Sequence, residues 1–355
     1  MEQIRAKSPR AARALKLTCH LQQRFVANLE DLSRRVGSGA EFSQIHWGRD
    51  EGRHGGGTRF VAPGPNDSLF NRGSVNISQV HYDDEPQKKL ASATAISSII
   101  HPQNPHAPSI HIHISWTELK SGRGYWRVMA DLNPSIPNPE ATAAFRACLQ
   151  EAAPNCYKEG SEQGDKYFFI PALGRHRGAA HFYLENFNSG DENADYNFAR
   201  SFGESVVDHY GHLLGSSHSQ NTNITDEHRE QQLAYHTLYF FQVLTLDRGT
   251  TSGLMVHNQN DVGTLGSLPS HIDRDLFGSW VGKLDAPQNL LAKRLHQALP
   301  EGPSCQVDDN LKAVLAEVVR AHYTENPEAL NMQASGFSLP TTVDNHGNQG
   351  TDKNA

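Results

Sequence analysis

Alternating apolar and polar positions predict a series of short β-strands in the first half of the chain. Residues 109–116 alternate most regularly, so that Ile110 and Ile112 share one face of a strand and His111 and His113 share the other. Other segments are rich in β-forming residues, and turns rich in Pro, Gly or Asn separate several of them; they are 75–81, 95–101, 125–132 and 180–186. Strands that follow one another through short turns favour an antiparallel sheet.

Apolar residues that recur every three or four positions predict helices between and beyond these strands. Residues 9–36 carry such a stripe, and Gly37 is expected to end that helix. Asn138 followed by Pro139 is typical of a helix start, because Asn caps the free N–H groups and Pro fits the first turn. Further helices are predicted at 198–210, 285–299 and 308–323. Together these elements predict an α+β fold with helices packed on the sheet.

Three segments show neither pattern. Residues 50–74 are rich in Gly, Pro and Asn, which predicts a loop. The last 25 or so residues are polar, which predicts a disordered tail. The mostly apolar run 238–247 predicts a buried strand.

The charge and composition of the 355 residues exclude several classes of protein. The formal net charge is −7, and no basic stripe offers a footprint for nucleic-acid phosphates. No window approaches the ~20 apolar residues that a membrane-spanning helix needs. The basic start lacks the apolar core of a secretory signal peptide, and the four cysteines form no CxxC pair. We therefore expect a reducing, cytoplasmic location.

His111 and His113 form a His-x-His pair whose rings face the same side of a predicted strand. Two imidazoles in that arrangement can reach one metal ion, but a metal site needs a third ligand. The chain has 20 histidines, so such pairs also arise by chance. The metal-free interpretation is favoured, with a site at His111 and His113 as the alternative.

Further charged residues lie at the ends of predicted elements. Asp131 is on a strand, where a carboxylate is costly to bury unless it is paired or functional; alternatively it caps the turn before Pro134. Arg177 lies in the motif GRHRG and either binds a carboxylate or phosphate through its paired donors or belongs to a solvated turn. Asp247 and Arg248 end the apolar run and form either a salt bridge or the mouth of a pocket. Motifs for nucleotide cofactors, NTPases and α/β-hydrolases do not occur in suitable contexts.

Several segments, taken together and in order, resemble the oxygen-dependent coproporphyrinogen III oxidase family. The most specific is IHPQNPHAP at 100–108, and the resemblance extends over about residues 45–300. The other matching segments include RGSVNISQVH (72–81), YWRVMADLNP (125–134), DKYFFIPALGRHRGAAHFYLEN (165–186) and LDRGTTSGL (246–254). On this resemblance the chain divides into an N-terminal helical segment at 1–44, a coproporphyrinogen-oxidase-like domain at 45–300, a C-terminal helix at 301–330 and a disordered tail at 331–355.

The resemblance implies both a fold and a reaction. Members of the family have a large antiparallel β-sheet flanked by helices on both faces and usually act as homodimers. They convert two propionate side chains of coproporphyrinogen III to vinyl groups with O2 as co-substrate, and they release CO2 and hydrogen peroxide. No metal or organic cofactor is expected. The expected partner is a tetrapyrrole or a related small molecule of haem biosynthesis.

The resemblance also assigns roles to individual side chains. Asp131 matches the pyrrole-binding carboxylate of the family, and His111 and Asp247 are the other catalytic candidates. Arg177 matches an arginine that can clamp a propionate. The side chains expected to contact the substrate are Arg177, Arg248, Ser115 and Asn104.

The chain departs from the family at two places near the expected pocket. Ser115 stands where the family usually has Arg, and residues 127–130 replace a run of glycines. Lost charge and added bulk would change the choice of substrate, although His113 and Arg127 bring new polar groups. Two alternatives therefore stand beside a coproporphyrinogen oxidase. One is a diverged paralogue that oxidises another pyrrole- or indole-type metabolite, and the other is a non-catalytic porphyrin-binding protein.

Overall fold

A seven-stranded antiparallel sheet forms the centre of the computed structural model, which describes residues 3–64, 69–220, 223–302, 304–336 and 342–349. Neighbouring strands of the sheet follow one another along the chain, and all five predicted strand segments lie in it. The strands of the sheet are β1 (Ser43–Gly48), β2 (Gly55–Val61), β3 (Phe70–His81), β4 (Leu90–Pro102), β5 (Ser109–Leu119), β6 (Gly124–Asn133) and, after two short strands, β9 (Ala180–Phe187). Two-stranded ribbons outside it pair β7 (Phe169–Ile170) with β8 (Arg175–His176) and β10 (His271–Ile272) with β11 (Cys305–Gln306).

Helices lie on both faces of this sheet, so the predicted α+β class is confirmed. The helices are α1 (Pro9–Arg35), α2 (Pro139–Ala152), α3 (Tyr157–Phe168), α4 (Glu192–Gln220), α5 (Asp226–Thr245), α6 (Arg248–Val256), α7 (Asp261–Thr264), α8 (Arg274–Val281), α9 (Gln288–Ala298), α10 (Asp309–Glu325) and α11 (Thr342–Asn345). In the described part of the chain, none of them combines the length and the apolar character that crossing a bilayer requires.

The first face of the sheet is apolar and packs against α1 and α4. Ile112 and Ile114 of β5 share one core with Leu21 and Phe25 of α1 and Phe202 of α4. Each such side chain contributes about 1.5–3 kcal/mol when it is fully buried. Because successive strand residues point to opposite faces, this packing turns the polar alternate residues of β5 toward the second face.

The prediction of a buried strand at 238–247 is wrong, because most of this run belongs to helix α5. Every side chain from Tyr235 to Thr245 is buried. Phe240 and Phe241 pack edge-on against Phe277 of α8, within a second core that also includes α9 and α10. A helix that is buried on all sides shows no polar face, so its apolar run cannot be distinguished from a buried strand.

The prediction of a loop at 50–74 is wrong for much of the segment, which contains β2 and the start of β3; residues 65–68 lie outside the described residues. The glycines permit a close approach of backbones here. A Cβ on Gly57 would lie 2.1 Å from the carbonyl oxygen of Ile77 and 2.7 Å from Nε1 of Trp47. The glycines that indicated a loop therefore allow β1, β2 and β3 to pair.

Part of the tail predicted to be disordered at 331–355 is ordered. Residues 342–349 lie against the connection between β3 and β4, where the backbone N–H of Lys89 donates to the carbonyl of Gly347 (3.0 Å). His346 is buried, and its Nδ1 lies 2.8 Å from the hydroxyl of Tyr82. Hydrogen bonds to the rest of the chain hold this polar segment, so its composition alone was a poor guide. Residues 337–341 and 350–355 lie outside the described residues.

Candidate active site

A cavity of about 230 Å³ lies between the second face of the sheet and helices α5, α6 and α7, and part of it is open to solvent. Small or polar residues of β3, β4 and β5 form much of its floor: Ser74, Asn76, Ser78, Ala95, Ser97 and Ser115. Tyr239 and Val243 of α5 contribute to the opposite wall. Small floor residues leave room above the sheet, so the cavity is a candidate ligand site.

A histidine, a carboxylate and a guanidinium meet at one end of this cavity. His111 of β5 and Asp131 of β6 are partners in the strand register, and His111 Nδ1 lies 3.2 Å from Asp131 Oδ1. Asp131 Oδ2 accepts from Nη2 of Arg177 (2.7 Å) and from the side-chain amide of Asn133 (2.6 Å). The other terminal nitrogen of Arg177 donates to Gln242 of α5 (2.7 Å). Strand pairing, the turn before β9 and helix α5 together build this group.

The three members of this group differ in their exposure. The side chains of Asp131 and Arg177 are 0% exposed, whereas His111 is 12% exposed and lines the cavity. Burial alone would raise the pKa of Asp131, but the charge of Arg177 and the imidazole of His111 hold that pKa well below its usual range. Asp131 is therefore an ionised carboxylate beneath the histidine that faces the cavity.

The Nδ1 atom of His111 has two partners at the same distance. That nitrogen lies 3.2 Å from Asp131 Oδ1 and also 3.2 Å from Nη2 of Arg177. When Nδ1 carries a proton it can donate to Asp131, and when Nδ1 is unprotonated it can accept from Arg177. Nδ1 thus has a hydrogen-bond partner whether it donates or accepts.

Asp131 and Arg177, the expected catalytic and substrate-binding residues, are both buried, and neither lines the cavity. Arg177 does clamp a carboxylate as its motif indicated, but that carboxylate belongs to Asp131. The rings of Phe168 and Tyr239 cover the guanidinium at 4.5 and 4.7 Å. A charged group this deep requires an opposite charge, and the two residues supply it to each other.

Asp247 and Arg248 both line the cavity, as the pocket interpretation of this pair required. Asp247 caps α6 by accepting from the N–H of Thr250 (2.7 Å), and it also accepts from the hydroxyl of Tyr167 (2.8 Å). Arg248 donates to a carboxylate oxygen of Glu185 on β9 (2.8 Å). Asp247 is thus held by Tyr167 and by the start of α6, and Arg248 is held by Glu185.

Ser115 and His113 lie on the cavity wall, whereas Asn104 does not. Ser115 Oγ lies 3.0 Å from Nε2 of His113. Burial, together with the charge of Arg127 and the neighbouring His111, lowers the pKa of His113 to about 3, so its ring is neutral at pH 7. Asn104 accepts from the N–H of His106 (2.9 Å) within its own turn.

The metal alternative at His111 and His113 lacks a third ligand among the described residues. In that part of the chain, one group of three metal-ligating side chains converges, and it consists of His54, Asp84 and Glu85. His111 instead directs its Nδ1 toward Asp131.

Several residues of the cavity wall were not singled out from the sequence: Tyr125, Tyr167, Tyr183, Asn345 and His346. Strand alternation carried a signal for part of this set, because Tyr125 and Arg127 share a face of β6 with Asp131. The two residues near the C-terminus gave no such signal, since nothing in their polar segment indicates where it packs.

An antiparallel sheet with a cavity on one face and a charge-backed histidine in its wall defines an α+β protein with a candidate active site. Comparison of the sequence with family profiles identifies the family. Residues 13–279 match the profile described as coproporphyrinogen III oxidase. The chain belongs to the coproporphyrinogen III oxidase family.

Relatives with assigned names agree with this membership. The chain is 31% identical over 260 residues to the human mitochondrial oxygen-dependent coproporphyrinogen-III oxidase, covering 66% of this chain and 56% of that protein. It is 29% identical over 246 residues to the Rickettsia bellii oxygen-dependent coproporphyrinogen-III oxidase, covering 65% of this chain and 85% of the relative. The oxidase of the same name from Prochlorococcus marinus is 28% identical over 294 residues, covering 71% of this chain and 82% of that relative. The chain thus spans somewhat more than half the length of the human relative.

Proposed function

We propose that this protein catalyses the O2-dependent oxidative decarboxylation of propionate side chains on coproporphyrinogen III, yielding vinyl groups. The observation that carries this proposal is the cavity histidine, His111, backed by the buried and ionised pair of Asp131 and Arg177. Support also comes from the names of the relatives, which are oxygen-dependent coproporphyrinogen-III oxidases. If the protein were instead a diverged oxidase or a non-catalytic porphyrin binder, it would not turn over coproporphyrinogen III.

The proposed reaction balances with O2 as the sole oxidant. Each propionate loses CO2 and the equivalent of one hydride from the carbon next to the ring, which leaves a carbon–carbon double bond. The hydride equivalent and one proton reduce O2 to hydrogen peroxide. The reduced tetrapyrrole is itself electron-rich, so we propose neither a metal nor an organic cofactor. The protein must then hold the pyrrole N–H, orient the propionate and manage one proton.

We assign the contact with the pyrrole N–H to His111, because it is the member of the buried group that lines the cavity. Asp131 and Arg177 are positioning residues that act through the imidazole, by fixing its ring and the location of its proton. Asp247 is a candidate acceptor for a second pyrrole N–H, and Arg248 is a candidate partner for a propionate near the cavity wall. Ser115 provides a neutral hydroxyl beside them.

We also propose that the protein acts as a homodimer in a reducing compartment such as the cytoplasm. The family resemblance supports the dimer, and the four cysteines, none of which forms a disulfide, support the compartment. Sedimentation of the purified chain tests the first point. A species with the mass of a single chain at micromolar concentration would contradict it.

The decisive assay mixes purified protein with coproporphyrinogen III under nitrogen and then admits O2. We expect vinyl products, CO2 and peroxide in equal amounts. His111→Asn should reduce turnover about 10²–10⁴-fold, the range for loss of a positioned acid–base group. The matched control is His46→Asn, because His46 is exposed on β1 and lies outside the cavity wall. No turnover by folded wild-type protein would exclude the proposed reaction.

A further inference from the structure

Arg127 is a charged residue of the cavity wall for which the described residues supply no carboxylate at ion-pair distance. It lies on β6, and its guanidinium reaches the cavity that β5, β6 and α6 enclose. Its Nε is buried and has no hydrogen-bond partner in the described part of the chain. A guanidinium keeps its proton in proteins, so this group carries a full positive charge.

The carboxylate of Glu185 attracts Arg127, but it forms its ion pair with Arg248. Among the described residues that line the cavity, the other charged side chains are Asp247 and Arg248. Asp247 is engaged by the hydroxyl of Tyr167 and by the start of α6, and Arg248 is engaged by Glu185. Burial raises the pKa of Tyr183, the tyrosine beside Arg127, so its hydroxyl stays neutral at physiological pH.

Arg177 shows what a structural arginine looks like in the same fold. It is fully buried, it pairs with Asp131 at 2.7 Å, and two aromatic rings cover it. The Nε atoms of both arginines lack a hydrogen-bond partner among the described residues, but Arg127 has no carboxylate of that part of the chain at ion-pair distance, and it opens onto the cavity. Burying a charge without an opposite charge is unfavourable, so the site is prepared for an anion that enters with a ligand.

The position of Arg127 within the sheet indicates the subsite that it forms. Arg127 is the direct strand partner of Ser115, and His113 Nε2 lies 3.0 Å from the hydroxyl of Ser115. Directly opposite residues on paired strands have Cβ atoms about 4.5–5.5 Å apart. A group bound by Arg127 therefore lies next to neutral hydrogen-bonding side chains on the cavity floor.

We propose that Arg127 binds one carboxylate of the ligand through its paired N–H donors, with Ser115 beside it as a neutral hydrogen-bonding group. A planar carboxylate matches the fork of a guanidinium, and a charge-assisted pair of this kind is strong when water is excluded. The inference rests on the proposed function only in naming that carboxylate as a propionate. Arg127 thus determines which propionate is held against the sheet and which ones extend toward Arg248 and the mouth.

Binding of oxidised porphyrins, which are stable in air, tests this without turnover. The two probes are coproporphyrin III and its tetra-amide, which keeps the size of the ligand and removes its four negative charges. For Arg127→Met we expect the Kd for coproporphyrin III, measured by fluorescence quenching, to rise ten- to hundredfold. The Kd for the tetra-amide should stay within threefold. Arg34→Met, on an exposed part of α1, is the matched control and should leave both values unchanged.

Two further variants separate a binding role from a structural one. Removing an uncompensated charge should leave the unfolding midpoint of Arg127→Met at or above that of the wild type in the absence of ligand. The double variant Arg127→Ser with Ser115→Arg moves the guanidinium to the adjacent strand position, and it should restore coproporphyrin III affinity to within about fivefold of wild type. An unchanged Kd for coproporphyrin III in Arg127→Met would overturn the proposal. Equal weakening of both probes would overturn it as well.

The outcomes also separate this inference from the proposed reaction. Porphyrin binding that depends on Arg127, without turnover of coproporphyrinogen III, would support the proposed carboxylate site and exclude the proposed oxidase reaction. Normal turnover by Arg127→Met, with an unchanged KM, would support the proposed oxidase reaction and exclude the proposed carboxylate site.

Discussion

Replacing Asp131 by Asn removes the charge that neutralises Arg177 while preserving the shape of the side chain. The two groups are 2.7 Å apart and both are 0% exposed. In the variant, Arg177 would retain the side-chain oxygen of Gln242 as its other acceptor, which is neutral. Breaking a buried ion pair on one side costs about 3–5 kcal/mol, because an uncompensated charge stays behind. We therefore expect Asp131→Asn to lose about 3–5 kcal/mol, a large fraction of the ~5–15 kcal/mol typical of folded proteins.

Urea unfolding of four proteins measures this effect. They are the wild type, Asp131→Asn, Arg177→Gln, and the double variant that neutralises both partners. The double variant should be more stable than either single variant, because no buried charge is left alone. Asp31→Asn is the matched control, since Asp31 forms only exposed ion pairs on α1 and should change the unfolding free energy by less than about 1 kcal/mol.

The same variant should impair catalysis through His111, whose Nδ1 would lose an anionic partner at 3.2 Å. We expect kcat to fall further than 1/KM, because the altered residue does not line the cavity. A stability within about 1 kcal/mol of wild type would refute the ion-pair argument. So would a double variant that is less stable than Asp131→Asn.

The remaining predictions concern the cavity wall. The pKa of His113 is lowered to about 3 in the fold against 6.5 in model compounds, so unfolding takes up a proton between these values and stability falls as the pH drops from 6.5 toward 3. His113→Asn should reduce that slope by up to about 1.4 kcal/mol per pH unit, as measured by urea unfolding at a series of pH values. Tyr167→Phe removes the 2.8 Å hydrogen bond to Asp247, and the resulting loss of about 1–3 kcal/mol should appear in the same experiment. Deleting residues 342–355 removes Asn345 and His346 from the wall; porphyrin Kd should rise while the circular dichroism of the sheet is unchanged.

The sheet could be predicted from the sequence because half-buried strands leave a period of two. In β5, isoleucines on the core face alternate with histidines on the cavity face, and the pattern assigned both faces correctly. The same rule failed for α5, since a helix enclosed on every side has no polar stripe. It failed for β2 because three successive glycines, required by tight strand contacts, have the composition of a loop.

The site could be predicted less completely, because segments distant in sequence determine whether a side chain lines the cavity or is buried behind its wall. Alternation placed Asp131 on the same face as Arg127, but it could not show that Arg177 and Gln242 would enclose the carboxylate from the turn before β9 and from α5. Arg127 and His111 line the cavity, while Asp131 and Arg177 lie behind His111.

The placement of Asn345 and His346 has a consequence for the synthesis of the protein chain itself. They complete a wall whose other members begin at Trp47, nearly three hundred positions earlier. Such long sequence separation means that the sheet can pair and bury its apolar face before the pocket is finished. A nascent chain would therefore acquire full affinity for its ligand only after position 346 has been translated, and prematurely terminated products would fold around an unfinished pocket.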